Sequence, residues 1–324
     1  MKKQIILILL LVGFIACTNS ADKKNTNNII MESDIVQPVE LTDSIIFECD
    51  YLGEIQPENE PILFAPNIIS TGDLHSSVYF TPDGKEIYYS RLSSEGDNSG
   101  VLFRKNINGK WSKAIMIPGT EEALTPFISL DGKRLFCSLG YDLFVLNKTK
   151  SGWSEPINLG KEINFQKRQD GLYESDNRTI YFTAMFGKND GIYYSEFINE
   201  SYQTPLKINL GLPDHPTNGY SYISPDESYL IFQSRVEGGY GASDLYIMFK
   251  DKDGKWMKAI NMGNTINTKD CESFPYVSPD GKYFFFNSNR VSKVNSKVPS
   301  HFYGNVYWLK TDIIHRLKEN VFNY

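Results

Sequence analysis

The stretch Ser278-Pro279-Asp280-Gly281-Lys282-Tyr283-Phe284-Phe285-Phe286-Asn287-Ser288-Asn289-Arg290 decides how the rest of the chain is read. Proline presets the backbone for an early turn position, aspartate hydrogen-bonds its own turn, and glycine accepts the positive φ that closes a hairpin. The apolar run after the turn is aromatic and bounded by polar residues, which favours a strand over a helix. The stretch therefore predicts two strands joined by a tight turn.

The same pattern recurs. Thr81-Pro82-Asp83-Gly84-Lys85 leads into Ile87-Tyr88-Tyr89-Ser90, and Leu130-Asp131-Gly132-Lys133 leads into Leu135-Phe136-Cys137-Ser138. Ser175-Asp176-Asn177-Arg178 precedes Ile180-Tyr181-Phe182-Thr183, and Ser224-Pro225-Asp226-Glu227 precedes Leu230-Ile231-Phe232-Gln233. With turn aspartates at 83, 131, 176, 226 and 280, the period is about fifty residues.

Each copy continues in a fixed order. An aliphatic–aromatic pair, as in Leu102-Phe103, Leu143-Phe144, Ile192-Tyr193, Leu245-Tyr246 and Val306-Tyr307, predicts a third strand. An aromatic with a polar-to-apolar stretch, as in Trp111 to Ala114, Trp153 to Pro156, Tyr202 to Pro205 and Trp256 to Ala259, predicts a fourth. Four-stranded units at this spacing describe the blades of an all-β propeller. The last copy lacks its fourth strand after Trp308, while Glu60-Pro61-Ile62-Leu63-Phe64 stands ahead of the first hairpin and resembles Glu155 to Leu159. An amino-terminal strand completing the carboxy-terminal blade closes the ring and removes its edges. Five blades are expected, with a sixth built around Ile45-Ile46-Phe47 as the alternative. Ile313, Ile314, Leu317 and Val321 space out a short amphipathic helix that packs on the propeller.

These residues resemble the WD40-like β-propeller repeats of the TolB type, through Ser278 to Asn289 and the Gly-rich loop and Asp-Leu-Tyr of Gly238 to Tyr246. The resemblance covers about residues 57–317, and implies a propeller found in bacterial envelope proteins, among them partners in envelope assemblies and lipoproteins. Its type member has six blades and a separate amino-terminal domain, which residues 18–56 are too short and polar to supply. No peptidoglycan-binding domain follows the repeats.

The chain has 324 residues, 41% hydrophobic and 14% aromatic, enough for a large single core. With 33 basic and 39 acidic residues its net charge is −6, and no basic cluster suits nucleic acid. Lys2 and Lys3 followed by the apolar run Ile5 to Ile15 form a signal peptide over 1–16, too short to span a membrane comfortably. Phe14-Ile15-Ala16-Cys17 resembles a bacterial lipobox, so Cys17 is the expected lipidation site, followed by a polar tether through residue 44 and the propeller over 45–324. Thr18 rather than aspartate after that cysteine favours the outer membrane, on either face. Of the remaining cysteines, Cys137 matches core strand positions, and pairing of Cys49 with Cys271 stays open. The four histidines, at 75, 215, 301 and 315, make no ligand motif, and neither a metal nor a cofactor is expected.

Function is sought where the repeats differ. Counting six residues back from the turn Ser/Thr, with an allowance for the degenerate third copy, makes His75, Ala123, Arg168, Asn218 and Glu272 equivalent, at the segment leading into the innermost strand and so near one mouth of the channel. Asp73, Glu121, Glu122, Asp170 and Asp270 fall close by. His75, Arg168, Asn218, Glu272, Asp73, Glu122 and Asp170 are therefore the candidate ligand-binding residues, set against the alternative of plain solvated polarity. The leading expectation is a non-catalytic module that binds an envelope protein or a glycan; the sharper reading of the mouth residues themselves is a pocket for a polar ligand such as a glycan, or for a divalent cation held by carboxylates. A glycoside hydrolase or lyase using two mouth carboxylates is the enzymatic alternative. No nucleophile elbow, phosphate loop or Asp-box spacing supports it.

Overall fold

In the computed structural model the described residues are 39–40, 47–48, 50–71, 74–92, 99–187, 189–213, 218–290 and 304–322. They form five sheets of propeller blades, each ordered from an innermost strand outward. The innermost strands are Leu74–Phe80, Leu124–Ile128, Arg168–Glu174, Gly219–Ile223 and Glu272–Val277, belonging to blades 1 to 5. Second strands, Glu86–Leu92, Arg134–Leu139, Ile180–Met185, Tyr229–Ser234 and Tyr283–Ser288, carry the aromatic runs that come after each turn. Third strands begin at Gly100, Asp142, Gly191, Asp244 and Asn305, and carry the aliphatic–aromatic pairs.

The turn between the first two strands is a clasp that repeats. Thr81, Ser129 and Ser278 each donate their hydroxyl to the aspartate two residues on, at 2.6, 2.6 and 2.7 Å. The same aspartates accept from the backbone of Lys85, Lys133 and Lys282. Blade 3 departs from the expected register. There Asn177, not Asp176, takes the hydroxyl of Ser175 at 2.8 Å and the N–H of Thr179 at 2.9 Å. Its turn is one residue shorter, since Ser175 pairs with Thr179 whereas Ser224 pairs with Tyr229. Gly84, Gly132 and Gly281 supply the left-handed residue in three blades, while Arg178 and Glu227 occupy it in the other two. A side chain there costs roughly 1 kcal/mol. Both make contacts a glycine lacks: Glu227 accepts from Ser175 of the neighbouring blade and from Lys250, and Arg178 lies 3.6 Å over the Phe197 ring.

Outer strands Ile115–Glu121, Ile157–Asn158, Leu206–Lys207 and Ile260–Asn261 begin just after the aromatic–polar segments expected to form them. Trp111 instead belongs to a short hairpin, and Trp153 and Trp256 make single bridges to Lys148 and Lys250. The serines beside two of these tryptophans accept third-strand N–H groups, Ser112 from Lys105 and Ser154 from Asn147, which hold the chain in place before the outer strand starts.

Blade 5 takes its outer strand from the amino-terminal side, as expected: Ile62 pairs with Trp308 and Leu63 with Tyr307, and Phe64 N–H donates to Val306 at 2.8 Å. Among the described residues the segment around Phe47 forms no sixth blade. Phe47–Glu48 pairs with Lys110–Trp111, and Val39–Glu40 adds to the edge of blade 1. Between them and blade 5, the Tyr51 ring packs on Phe80, Tyr283 and Trp308 at 4.9 to 5.5 Å. The helix Asp312–Phe322 buries Ile313 and Ile314 and sets Phe322 against Phe249.

Phe64 is fully buried against Phe80, Phe285 and Trp308. Phe64→Ala is expected to cost about 3–5 kcal/mol in urea unfolding, and an unchanged midpoint would show that the seam does not hold the ring. The turn carboxylates give a second expectation. The Thr81 hydroxyl lowers the Asp83 carboxyl below the ordinary value; at Asp131, Asp226 and Asp280 burial acts the other way but hydroxyl and backbone donors outweigh it. Because these groups bind protons more weakly folded than unfolded, the stability they contribute is complete above about pH 4 and is lost as pH falls through their folded values. The urea midpoint should therefore drop as pH falls below about 4, and Asp280→Asn should flatten part of that drop.

Candidate functional site

Each innermost strand carries a bulge between its first residues and its last. In blades 2 to 5 the bulge residue, Thr125, Gly171, Tyr220 or Phe274, has positive φ. This extra residue re-aims the remainder of the strand. Two positions on, and two before each turn hydroxyl, stand Tyr79, Phe127, Tyr173, Tyr222 and Tyr276, all buried. Their rings touch in a closed cycle, with successive centroids 6.2, 4.9, 5.4, 5.9 and 5.0 Å apart. Tyr173 also crosses the cycle, its hydroxyl donating to that of Tyr79 at 3.0 Å and reaching the Pro275 carbonyl. Burial pushes all four phenols up. A second layer lies on the mouth side, where Tyr220 and Phe274 stack at 4.2 Å and a Cβ on Gly171 would press on the Tyr220 ring. The axis is thus filled by aromatic side chains.

The residues singled out at the mouth are mostly consumed by internal bonds. Asp170, 1% exposed, accepts from Thr125 and Ser138 of blade 2, from its own Gly171 N–H, and from Arg168 at 2.6 Å. Glu272, fully buried, accepts from Thr268 N–H and hydroxyl and from Ser288, with Arg290 at 3.6 Å. Burial raises its carboxyl despite those donors. Asn218 accepts from Ser234 at 2.7 Å and donates to the Pro213 carbonyl. Ala123 is buried.

Asn218 and Glu272 stand six residues before the turn hydroxyls of Ser224 and Ser278, and the residue six before Ser175 is Gln169, not Arg168. Gln169 is fully buried, and neither amide atom has a hydrogen-bond partner among the described residues. Arg168 and Glu122 do reach the surface, Glu122 at a positive-φ connector position. His75 sits opposite Arg91 in register, its side chain outside the described set, as are Asp73, Cys17 and Cys49. Burial pushes the Cys137 thiol up to about 12. Among the described residues no group of three or more His, Cys, Asp or Glu side chains is placed to hold a metal.

A cavity of about 630 Å³ lies on the opposite, turn-bearing face between blades 5 and 1, lined by Tyr51, Asp83, Asn106 and Asp280. Its two aspartates are the turn carboxylates already described. On the mouth face, exposed rings stand on the loops between second and third strands of three successive blades: Tyr141, Phe186 and Tyr240. Tyr141 and Phe186 were not among the candidates read from the sequence. The signal was an aromatic residue beside glycine in each of those loops, at Gly140, Gly187 and Gly239.

No protein-family model matches the sequence, and no curated protein does. Among solved structures, a putative TolB from Agrobacterium tumefaciens is similar at 17% identity over 70% of this chain and 72% of that one, TM-score 0.43. TolB from Acinetobacter baumannii is similar at 17% identity, TM-score 0.44, this chain covering 55% of its length. A Mycobacterium tuberculosis puromycin-hydrolyzing peptidase is similar at 11% identity and TM-score 0.39, with 38% of that chain covered. Among the described residues no helix is long and apolar enough to cross a membrane.

Two substitutions distinguish structural from ligand-holding roles. Asp170→Ala removes a buried acceptor shared by Arg168, Thr125, Ser138 and the Gly171 N–H, and is expected to destabilise by about 3 kcal/mol or more. Gln169→Met removes an unsatisfied amide at similar volume and should raise the free energy of unfolding by about 1 kcal/mol, read as a higher urea midpoint.

Proposed function

We propose that the chain is a non-catalytic binding propeller of the bacterial cell envelope. It is anchored by lipid on Cys17 after loss of residues 1–16, carried on the tether 17–44, and placed at the outer membrane. It contacts an envelope protein or a glycan through the mouth face. One contrast carries this reading: the mouth carboxylates Asp170 and Glu272 are buried with their acceptor oxygens engaged, whereas the loops of the same face present rings to solvent. Glycoside hydrolysis needs two carboxyl groups free to reach substrate, and here those two are committed to holding the inner strands. Variable loops on a rigid frame suit recognition instead.

Cys17→Ser should move the protein from the membrane to the soluble fraction and abolish incorporation of labelled fatty acid. A photo-crosslinking residue at Tyr141 should capture an envelope protein or glycan, while one at Ile107, on the turn face, should not. Equal capture from both faces would overturn the mouth-face reading, as would polysaccharide turnover by the purified protein.

A further inference from the structure

Tyr141 and Phe186 combine two costs. They are 63% and 60% exposed, and their φ angles are +82° and +62°. At such a position glycine or asparagine is cheaper, and an exposed ring gains little burial in return. Strain without a folding return marks a place to look for function.

The two lie on adjacent blades and are joined by intervening side chains. Arg168 sits 5.6 Å over the Tyr141 ring while bonded to Asp170, and the Gln169 N–H donates to the Tyr141 carbonyl. Next along the connector, Phe165 is exposed on one side and packs on Tyr193 at 5.0 Å on the other. The Gln166 amide lies so close to Gly187 that a Cβ there would fall 1.6 Å from it. The result is a strip running Tyr141, Arg168, Gln166, Phe165 and Phe186, with rings set apart by amide and guanidinium groups.

Its charge is balanced. Among the described residues flanking it in sequence, exposed Lys161 and Lys167 are offset by exposed Glu162 and half-buried Asp190, and Arg168 is paired with Asp170. A protein anchor would want a pocket and a continuous desolvated centre, and none of the described cavities is lined by these residues. A sugar chain matches better. Pyranose rings offer flat C–H faces to aromatic rings and hydroxyl edges to amides, alternating along the polymer, and a neutral chain needs no surplus charge.

We infer that the Tyr141–Phe186 strip is a binding site for a neutral polysaccharide chain. The inference rests on the binding reading above and narrows it to one ligand class at one place. The test is affinity electrophoresis of the full-length protein in detergent, through gels containing dextran, laminarin or hydroxyethyl cellulose, with polygalacturonate as the charged comparator. At least one neutral polymer should retard it, with little dependence on salt. Tyr141→Gly and Phe186→Gly remove ring and strain together, so each should weaken retardation about tenfold without lowering the unfolding midpoint. Ile107→Ala should behave as wild type. Unretarded migration in all three neutral gels overturns the inference, as does retardation by polygalacturonate alone or an equal loss in Ile107→Ala. If the Tyr141 crosslinker meanwhile captures a protein, the binding reading stands and the glycan assignment falls.

Discussion

The cycle of five aromatic rings on the axis is the constraint to which the rest of the structure answers. Each ring–ring contact adds about 0.5–1.5 kcal/mol beyond burial, and the cycle forms only if every blade delivers its ring to the same level. That demand explains the bulge in every innermost strand, and the bulge explains the positive-φ residues at Thr125, Gly171, Tyr220 and Phe274. It also explains the buried polar groups nearby. A bulge leaves backbone groups without ladder partners, and side chains from the preceding blade supply them: Thr183 accepts the Tyr220 N–H at 2.7 Å, and Thr125 joins Asp170 beside the Gly171 N–H. Polarity that looked like a ligand ring is thus largely the means by which a bulged strand stays satisfied.

The outer layer answers a different demand. Asn158 and Asn164 clasp the third strand of blade 2, Asn164 bonding both the N–H and carbonyl of Leu143, and Asn261 and Asn267 do the same at Leu245 in blade 4. Asp142 and Asp244 accept from the first asparagine of each pair. These clasps let outer strands of only two residues hold, and leave little edge for another chain to join.

Much of this was legible in the chain. The turn motif, its period and the closing strand at Ile62–Leu63 follow from local chemistry that does not depend on the partner blade. The axis rings were equally legible, since an aromatic stands two residues before each turn hydroxyl, and the clasp repeats as Ile157 to Asn164 and Ile260 to Asn267. The site was not. Assigning Arg168 to the ring failed because the blade 3 clasp is built on Asn177 rather than Asp176, and a one-residue slip along a strand selects the side chain of the opposite face. Reading Asp170 and Glu272 as available failed because availability is a matter of burial and of partners distant in sequence, here Ser138 and Ser288. Tyr141 and Phe186 stand out only once backbone angle and exposure are known together.

The seam at blade 5 joins a strand made early to one made almost last. During synthesis Ile62 and Leu63 leave the ribosome long before Trp308 exists, so the pairing that ends the circle cannot guide its beginning. A chain truncated before Asn305 leaves that early strand without its partner.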